Sequence, residues 1–398
     1  MNTSIMTLKR EVQDVLVTNI LPYWINRMVD NEHGGFYGRI TGTDQLMPEA
    51  EKGAVLNARI LWTYSAAYRL LQKEEYLAIA THAKRYLIDY FYDDEFGGIY
   101  WSLDYLGQPL DTKKQIYALG FAIYGLSEYH RATGDREALD YAIRLFENIE
   151  AHSFDRLKNG YCEALTRDWQ EIADMRLSEK DANERKTMNT HLHILEPYTN
   201  LYRVWKDKRL EHQLRNLINL FTDRILDAET NHLHLFFNDD WVSRGHIISY
   251  GHDIEASWLL HEAALELGDA DLLSKVIPVI KKIADAAFEG FSVENGMIYE
   301  TNPDTCQTDT DRHWWVQAET VVGYFNIYQH FGDEAALQKA IACWNFIKKH
   351  LLDTANGEWY WSLRADGTIN REDDKAGFWK CPYHNGRMCM EIVERIVR

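Results

Sequence analysis

Three histidines in this 398-residue chain stand in equivalent settings: His193 in MNTHLHILE, His252 in YGHDIEASW and His384 in CPYHNGRM. Each lies near the start of a stretch whose apolar residues recur with helical spacing. Imidazole has an unperturbed pKa of about 6.5, so near neutrality it can act as base or as acid. Arg59 in LNARILWT, Tyr117 in KKQIYALG, and Trp314 and Trp315 in DRHWWVQAE occupy the same level of further stretches. A lone histidine is ordinarily a satisfied core or surface group; recurrence at one level marks these residues as a site.

The spacings restrict what each residue can do. His252 and Glu255, at i and i+3, share one helix face. Glu255 is therefore expected to hold a neutral imidazole in one tautomer or to bind a hydroxyl, with an ordinary helix-start polar pair as the competing reading. His191 and His193, at i and i+2, point to different faces and do not chelate together; His193 is assigned inward and His191 to structure. His232 and His234 could share a strand face and bind metal, but no matching carboxylate–histidine set accompanies them, and no metal is expected. Arg59 lies in an apolar run and needs a polar or anionic partner, either a substrate oxyanion or a carboxylate such as Glu255. Trp315 and Trp379 offer flat faces suited to the C–H faces of sugar rings, or to a core. Glu255 is the one carboxylate expected to face inward, whereas a glycoside hydrolase requires a pair.

Positioning these residues is the task of a sixfold repeat. A Gly/aromatic signature recurs at Gly34-Gly35-Phe36-Tyr37, Gly97-Gly98-Ile99-Tyr100, Asn159-Gly160-Tyr161, Asn231-His232-Leu233-His234, Asn295-Gly296-Met297 and Asn356-Gly357-Glu358-Trp359. An Asp precedes most copies: Asp30, Asp94, Asp155, Asp227 and Asp353. The interval of roughly 60–70 residues fits two helices and a loop. Apolar periodicity predicts helices near 4–28, 54–71, 75–92, 114–133, 136–152, 189–206, 209–226, 252–268, 270–288, 314–331, 335–351 and 384–397. Breaks such as Thr133-Gly134-Asp135 and Phe331-Gly332-Asp333 pair a C-cap glycine with the next N-cap. Short connections alternate with loops of about 20–35 residues that carry the signatures, rich enough in strand formers to form short hairpins. Six helical hairpins closing on themselves make an all-α (α/α)6 barrel of twelve helices, with an open superhelix as the alternative. The helices that follow long loops form the inner ring, and their first turns converge on one pocket.

Composition narrows the function. The chain carries 43 Lys+Arg against 61 Asp+Glu, a net charge of −18, with no basic stripe, so no nucleic-acid partner is expected. No apolar run approaches the roughly 18–20 residues of a membrane span, and no membrane partner is expected. Lys9, Arg10 and Glu11 interrupt the place of a signal peptide. Five cysteines, Cys162, Cys306, Cys343, Cys381 and Cys389, are odd in number and mostly far apart, which fits reduced thiols in a cytoplasm and no zinc site. No linker divides residues 1–398, so one repetitive catalytic domain is expected, acting as a monomer or weak homodimer.

The strings LNARILWT (56–63), MNTHLHILE (188–196), YGHDIEASWLL (250–260), DTDRHWWVQAE (309–319) and GFWKCPYHNGR (377–387) resemble the cellobiose 2-epimerases of the N-acylglucosamine 2-epimerase superfamily. The likeness spans essentially the whole chain. It implies the (α/α)6 barrel and reversible epimerisation at C2 of the reducing-end sugar of β-1,4-linked disaccharides, cellobiose to glucosyl-mannose and lactose to epilactose, with no cofactor. It further implies that His252 and His384 are the acid/base pair. Arg59, Asn189, His193 and Glu255 then surround the reacting carbons, Trp315 and Trp379 contact the sugars, and Asp181 in SEKDANE is a substrate-loop contact. Aldose–ketose isomerisation, N-acylglucosamine epimerisation and, more distantly, an (α/α)6 glycoside hydrolase are the alternatives.

Overall fold

The Gly–Asp breaks end one helix and start the next, as their chemistry predicts. In the computed structural model, which describes residues 3–396, Gly134 takes left-handed backbone (φ 76°) after one helix. Asp135 then accepts the Ala138 amide to cap the following one. The same device recurs at Gly268-Asp269 and Gly332-Asp333. A residue in the left-handed region favours glycine because it lacks Cβ, and an N-cap carboxylate satisfies an otherwise orphaned amide.

The helices follow in chain order. Helix α1 runs through Thr3–Val15, a π-type turn at Leu16–Ile20, and Leu21–Arg27. Next come α2 (Ala54–Leu71), α3 (Glu74–Tyr86, continued by a π-type turn at Leu87–Phe91), α4 (Ile116–Thr133) and α5 (Arg136–His152). The middle holds α6 (Met188–Val204), α7 (Lys208–Leu220, continued at Phe221–Ile225), α8 (Tyr250–Leu267) and α9 (Ala270–Ala287). The last are α10 (Trp314–Phe331), α11 (Glu334–His350) and α12 (His384–Arg395). With the π-type turns counted into the helices they extend, twelve stand among the described residues. Residue 397, where periodicity ends the last helix, lies outside them.

Even-numbered helices are buried on nearly every face, whereas α5 buries only the stripe Ala138, Leu139, Ala142, Leu145, Phe146 and Ile149. That contrast is the signature of an inner and an outer ring. Each inner helix packs on the next, and α12 packs on both α10 and α2, so the ring closes. The sixth hairpin is assembled from opposite ends of the chain, α12 inside and α1 outside.

Five of the signatures close as tight turns by a single bridge such as Tyr92–Ile99 or Phe154–Tyr161, the fifth in chain order by pairing Phe291–Ser292 with Gly296–Met297, and the long loops hold the expected short hairpins, as Ser102–Leu103 with Pro109–Asp111. The second copy corrects the expectation: Asp93, not Asp94, accepts the Glu95 and Phe96 amides, as Asp30 accepts those of Glu32 and His33. In four of the turns the second carboxylate oxygen meets a buried lysine in the loop that leads to an inner helix. Lys52 reaches Asp30 (2.7 Å), Lys114 reaches Asp93 (2.8 Å), Lys186 reaches Asp155 (3.1 Å), and Lys375 reaches Asp353. Two-residue strands before the inner helices pair with strands in the following loop, as Lys52–Gly53 does with Ser102–Leu103 and Lys114–Gln115 with Ala164–Leu165. The long loops are thereby stitched around one mouth of the barrel.

Candidate active site

The first turns of the inner helices bring their side chains together at that mouth. Arg59, Phe121, His193, Glu255 and Glu319 are each the sixth residue of an inner helix, and they form a buried floor with Arg387 of α12. One turn nearer the mouth stand Tyr117, Asn189 and Trp315, the second residues of their helices, and His252, the third residue of α8. Asp181, Asn189 and His252 line one cavity of about 190 Å³.

Arg387 is the hub of the floor. Its Nη2 donates to Oε1 of Glu255 and of Glu319, both at 2.7 Å, and its Nη1 donates to Glu196 and Tyr383. Glu196 and Glu319 in turn each hold a histidine. Nδ1 of His193 lies 3.0 Å from Oε2 of Glu196, and Nδ1 of His384 lies 2.7 Å from Oε1 of Glu319. Beside a carboxylate Nδ1 carries the hydrogen, which leaves Nε2 of each ring with a free lone pair.

His252 and His384 both lie against one indole. The Trp315 ring centre is 4.8 Å from that of His252 and 5.7 Å from that of His384. Burial pushes His252 down to about 3 and His384 well below the usual histidine range, the latter helped by Arg59 and Arg387. Burial likewise lowers His193, against the pull of Glu196. All three rings are neutral bases near neutrality. Burial would raise Glu196, but Arg387 and His193 outweigh it and hold the carboxylate at about 2. Burial and the neighbouring Glu319 push Glu255 well above the carboxylate range, and burial also raises Glu319 despite Arg387.

Two expectations are corrected here. Glu255 does not hold His252: its Oε1 goes to Arg387, and Nδ1 of His252 bonds Ser249 Oγ (2.8 Å), because the ring lies toward the cavity above the floor. Nor is Glu255 the sole inward carboxylate, since Glu196 and Glu319 join it. Arg387, Glu196, Glu319 and Tyr383 escaped the sequence reading, although Glu196 and Arg387 repeat the i+3 spacing from His193 and His384 that drew attention to Glu255.

Arg59 differs from Arg387 in having no carboxylate partner within 4.0 Å among the described residues. Its Nη2 donates to Tyr117 Oη (2.7 Å), its guanidinium lies 4.1 Å from the Phe121 ring centre, and its buried Nε has no partner. The buried Oδ1 of Asn189 and Oε2 of Glu255 are also unpartnered. Such groups are costly unless a ligand completes them. Trp379 extends an aromatic wall, its ring 5.8 Å from Trp101 and 6.0 Å from Tyr117. Trp314, expected to bind substrate, is instead 3% exposed and packs in the core on Trp361 (4.6 Å). Asp181 accepts the Ser178 amide and hydroxyl, both at 3.0 Å, at the rim. His191 bonds Thr187 O and the Tyr161 amide, a structural role.

Ligand atoms of Glu255, Glu319 and His384 lie within 4.8 Å of one another, a set able to hold a cation. The Arg387 guanidinium already occupies the space between the two carboxylates. His232 binds Asp253 (2.7 Å) away from His234.

A closed ring of helices around neutral imidazoles, a guanidinium without a carboxylate and an aromatic wall defines a carbohydrate-converting (α/α)6 barrel. The family model for N-acylglucosamine 2-epimerase (GlcNAc 2-epimerase) matches residues 35–386, and the chain belongs to that family, a carbohydrate epimerase. It is 73% identical to a cellobiose 2-epimerase of Bacteroides fragilis, over 97% of this chain and 98% of that protein. The structure of cellobiose 2-epimerase from Bacillus thermoamylovorans superposes with a TM-score of 0.94 at 42% identity, covering 98% of this chain and all of that one. A D-mannose isomerase shares the fold at TM-score 0.84 and 20% identity, over 99% of both chains. No described helix is long and apolar enough to cross a membrane.

Proposed function

We propose that this chain, as one catalytic domain in the cytoplasm, reversibly epimerises C2 of the reducing-end glucose of β-1,4-linked disaccharides. Cellobiose becomes glucosyl-mannose and lactose becomes epilactose. The observation that carries the reading is the pair of neutral imidazoles, His252 and His384, both against Trp315, beside an arginine without a carboxylate.

Epimerisation needs the open-chain aldehyde, loss of the C2 proton, and its return on the opposite face. His384 opens the ring by moving the C1 hydroxyl proton to the ring oxygen. Nε2 of His252 then takes the C2 proton, and the electron pair flows to O1 to give a cis-enediolate. Arg59 opposes that charge, with Asn189 and His193 completing the hydrogen bonds. Nε2 of His384, protonated from solvent once the ring is open, returns a proton to the other face of C2, and the proton on His252 leaves to solvent to reset the pair. Roles exchange in the reverse direction, and no metal or nucleotide enters. Trp315 and Trp379 stack on the sugars, and Asp181 closes the rim.

Incubation with cellobiose in deuterium oxide, followed by NMR, tests the scheme. Each glucosyl-mannose formed should carry deuterium at C2, and His252→Ala should reduce turnover at least a hundredfold. A ketose as the main product would reassign the chain to aldose–ketose isomerisation, and free glucose would make it a hydrolase.

A further inference from the structure

Glu163 is a further buried carboxyl, on the cavity wall, outside the floor and unused by the scheme above. It lies in the long loop between α5 and α6. Its carbonyl oxygen accepts the Ile116 amide (3.0 Å), the first residue of α4, and its own amide donates to Arg185 O (3.1 Å). Its side chain accepts from Thr187 Oγ1 (2.6 Å) and Thr190 Oγ1 (2.9 Å). Thr187 is the N-cap of α6 and accepts the Thr190 amide. One residue thus ties together the starts of two adjacent inner helices. The next residues along those helices are Tyr117, which holds Arg59, and Asn189, with His193 one turn further.

We infer that Glu163 is a positioning residue for the reaction, a clamp that sets Arg59 through Tyr117, and Asn189 and His193 through the start of α6. This rests on the epimerase reading. Because those three groups answer charge that develops only in the enediolate, the clamp acts on turnover and leaves binding little changed. Burial, with Asp181 nearby, pushes the carboxyl up to about 8, so it is neutral at pH 7. The ionisable groups that share its cavity are Arg176, Lys180, Asp181 and Glu184 from the preceding loop, His252 from α8, and Glu300 and Asp309 from the loop before α10. Above pH 8 a carboxylate forms; the two threonine donors hold it, but its charge is set against a wall rich in acids and against the enediolate itself.

The test is steady-state epimerisation of cellobiose by the full chain. Glu163→Ala should lower kcat on the order of tenfold to a hundredfold while KM changes less than about threefold, as a displacement near 1 Å predicts. Glu163→Gln, which keeps an acceptor and the volume, should recover most of that loss at pH 7. The ratio of wild-type to Glu163→Gln kcat should then fall from pH 7 to pH 9, a ratio that cancels any other titration in the site. A folded Glu163→Ala with unchanged kcat, or a loss confined to KM, overturns the proposal. If that variant does not fold, a ratio constant across pH overturns it instead. Wild type lacking C2 deuterium incorporation would reject the epimerase reading itself, whatever the variants do.

Discussion

Arg59 and Arg387 are both buried in the same floor, yet they have different partners and should fail differently. Arg387 answers Glu196, Glu255 and Glu319. Its replacement by Met leaves those carboxylates without a counterion in a dry interior, so Arg387→Met should cost about 3–5 kcal/mol of stability, read by urea unfolding. Arg59 meets a phenol, two aromatic faces and a carbonyl. Arg59→Ala should leave the midpoint little changed and raise the barrier by about 2.7–4 kcal/mol, the scale of a lost oxyanion donor. Equal stability losses in the two variants would contradict this division. The histidines give a pH signature on the same scale. His252 titrates near 3 in the native site and near 6.5 when unfolded. Between those values the unfolded chain binds a proton that the folded site refuses, so stability declines as pH falls through that window. The imidazole itself stays a competent base. The acid limb that His252 contributes to kcat/KM should therefore lie below pH 6.5; a limb at 6.5 would show an exposed, ordinary histidine.

Between the helices, the loops are fixed by lysines that no periodicity reveals. Lys52 and Asp30 have fully buried side chains, and Lys52 also donates to Gly34 O (2.7 Å). Lys52→Met should cost about 3–5 kcal/mol by stranding the aspartate, and adding Asp30→Leu should recover much of it, because an apolar pair strands nothing. Thermal unfolding of the two variants checks the order, and a single variant as stable as wild type would deny the clamp. Helix ends were legible in the sequence because Gly134-Asp135 and its equivalents encode them in neighbouring residues. The inner ring was legible because its helices follow the long loops. The lysine partners were not, since the separations of 22, 21, 31 and 22 residues track loop length rather than a repeat. Glu196, Glu319 and Arg387 were missed for a related reason. A charge on a helix reads as solvent-facing unless its partner is known, and these partners come from other helices.

For the whole molecule the decisive joint is where the ring closes, because His384 and Arg387 lie on the helix that completes it. Glu358, in the sixth signature, is fully buried and joins the parts that meet there. Its Oε2 accepts from Trp24 Nε1 of α1 (2.7 Å), and its Oε1 accepts from Lys380 (2.6 Å) and Asn385 of α12 (2.5 Å). Glu358→Ala strands the Lys380 ammonium and frees both helices at once, a loss of about 3–5 kcal/mol. Every inner helix contributes to the floor, so a loosened closure cannot leave part of the site working. Activity and far-UV ellipticity should then vanish together, in one transition at lower urea than in the wild type. Activity lost well before the ellipticity would mean that α12 detaches from a ring able to stand open. The barrel would then be an incomplete superhelix that α12 merely caps, and the site a product of docking rather than of closure.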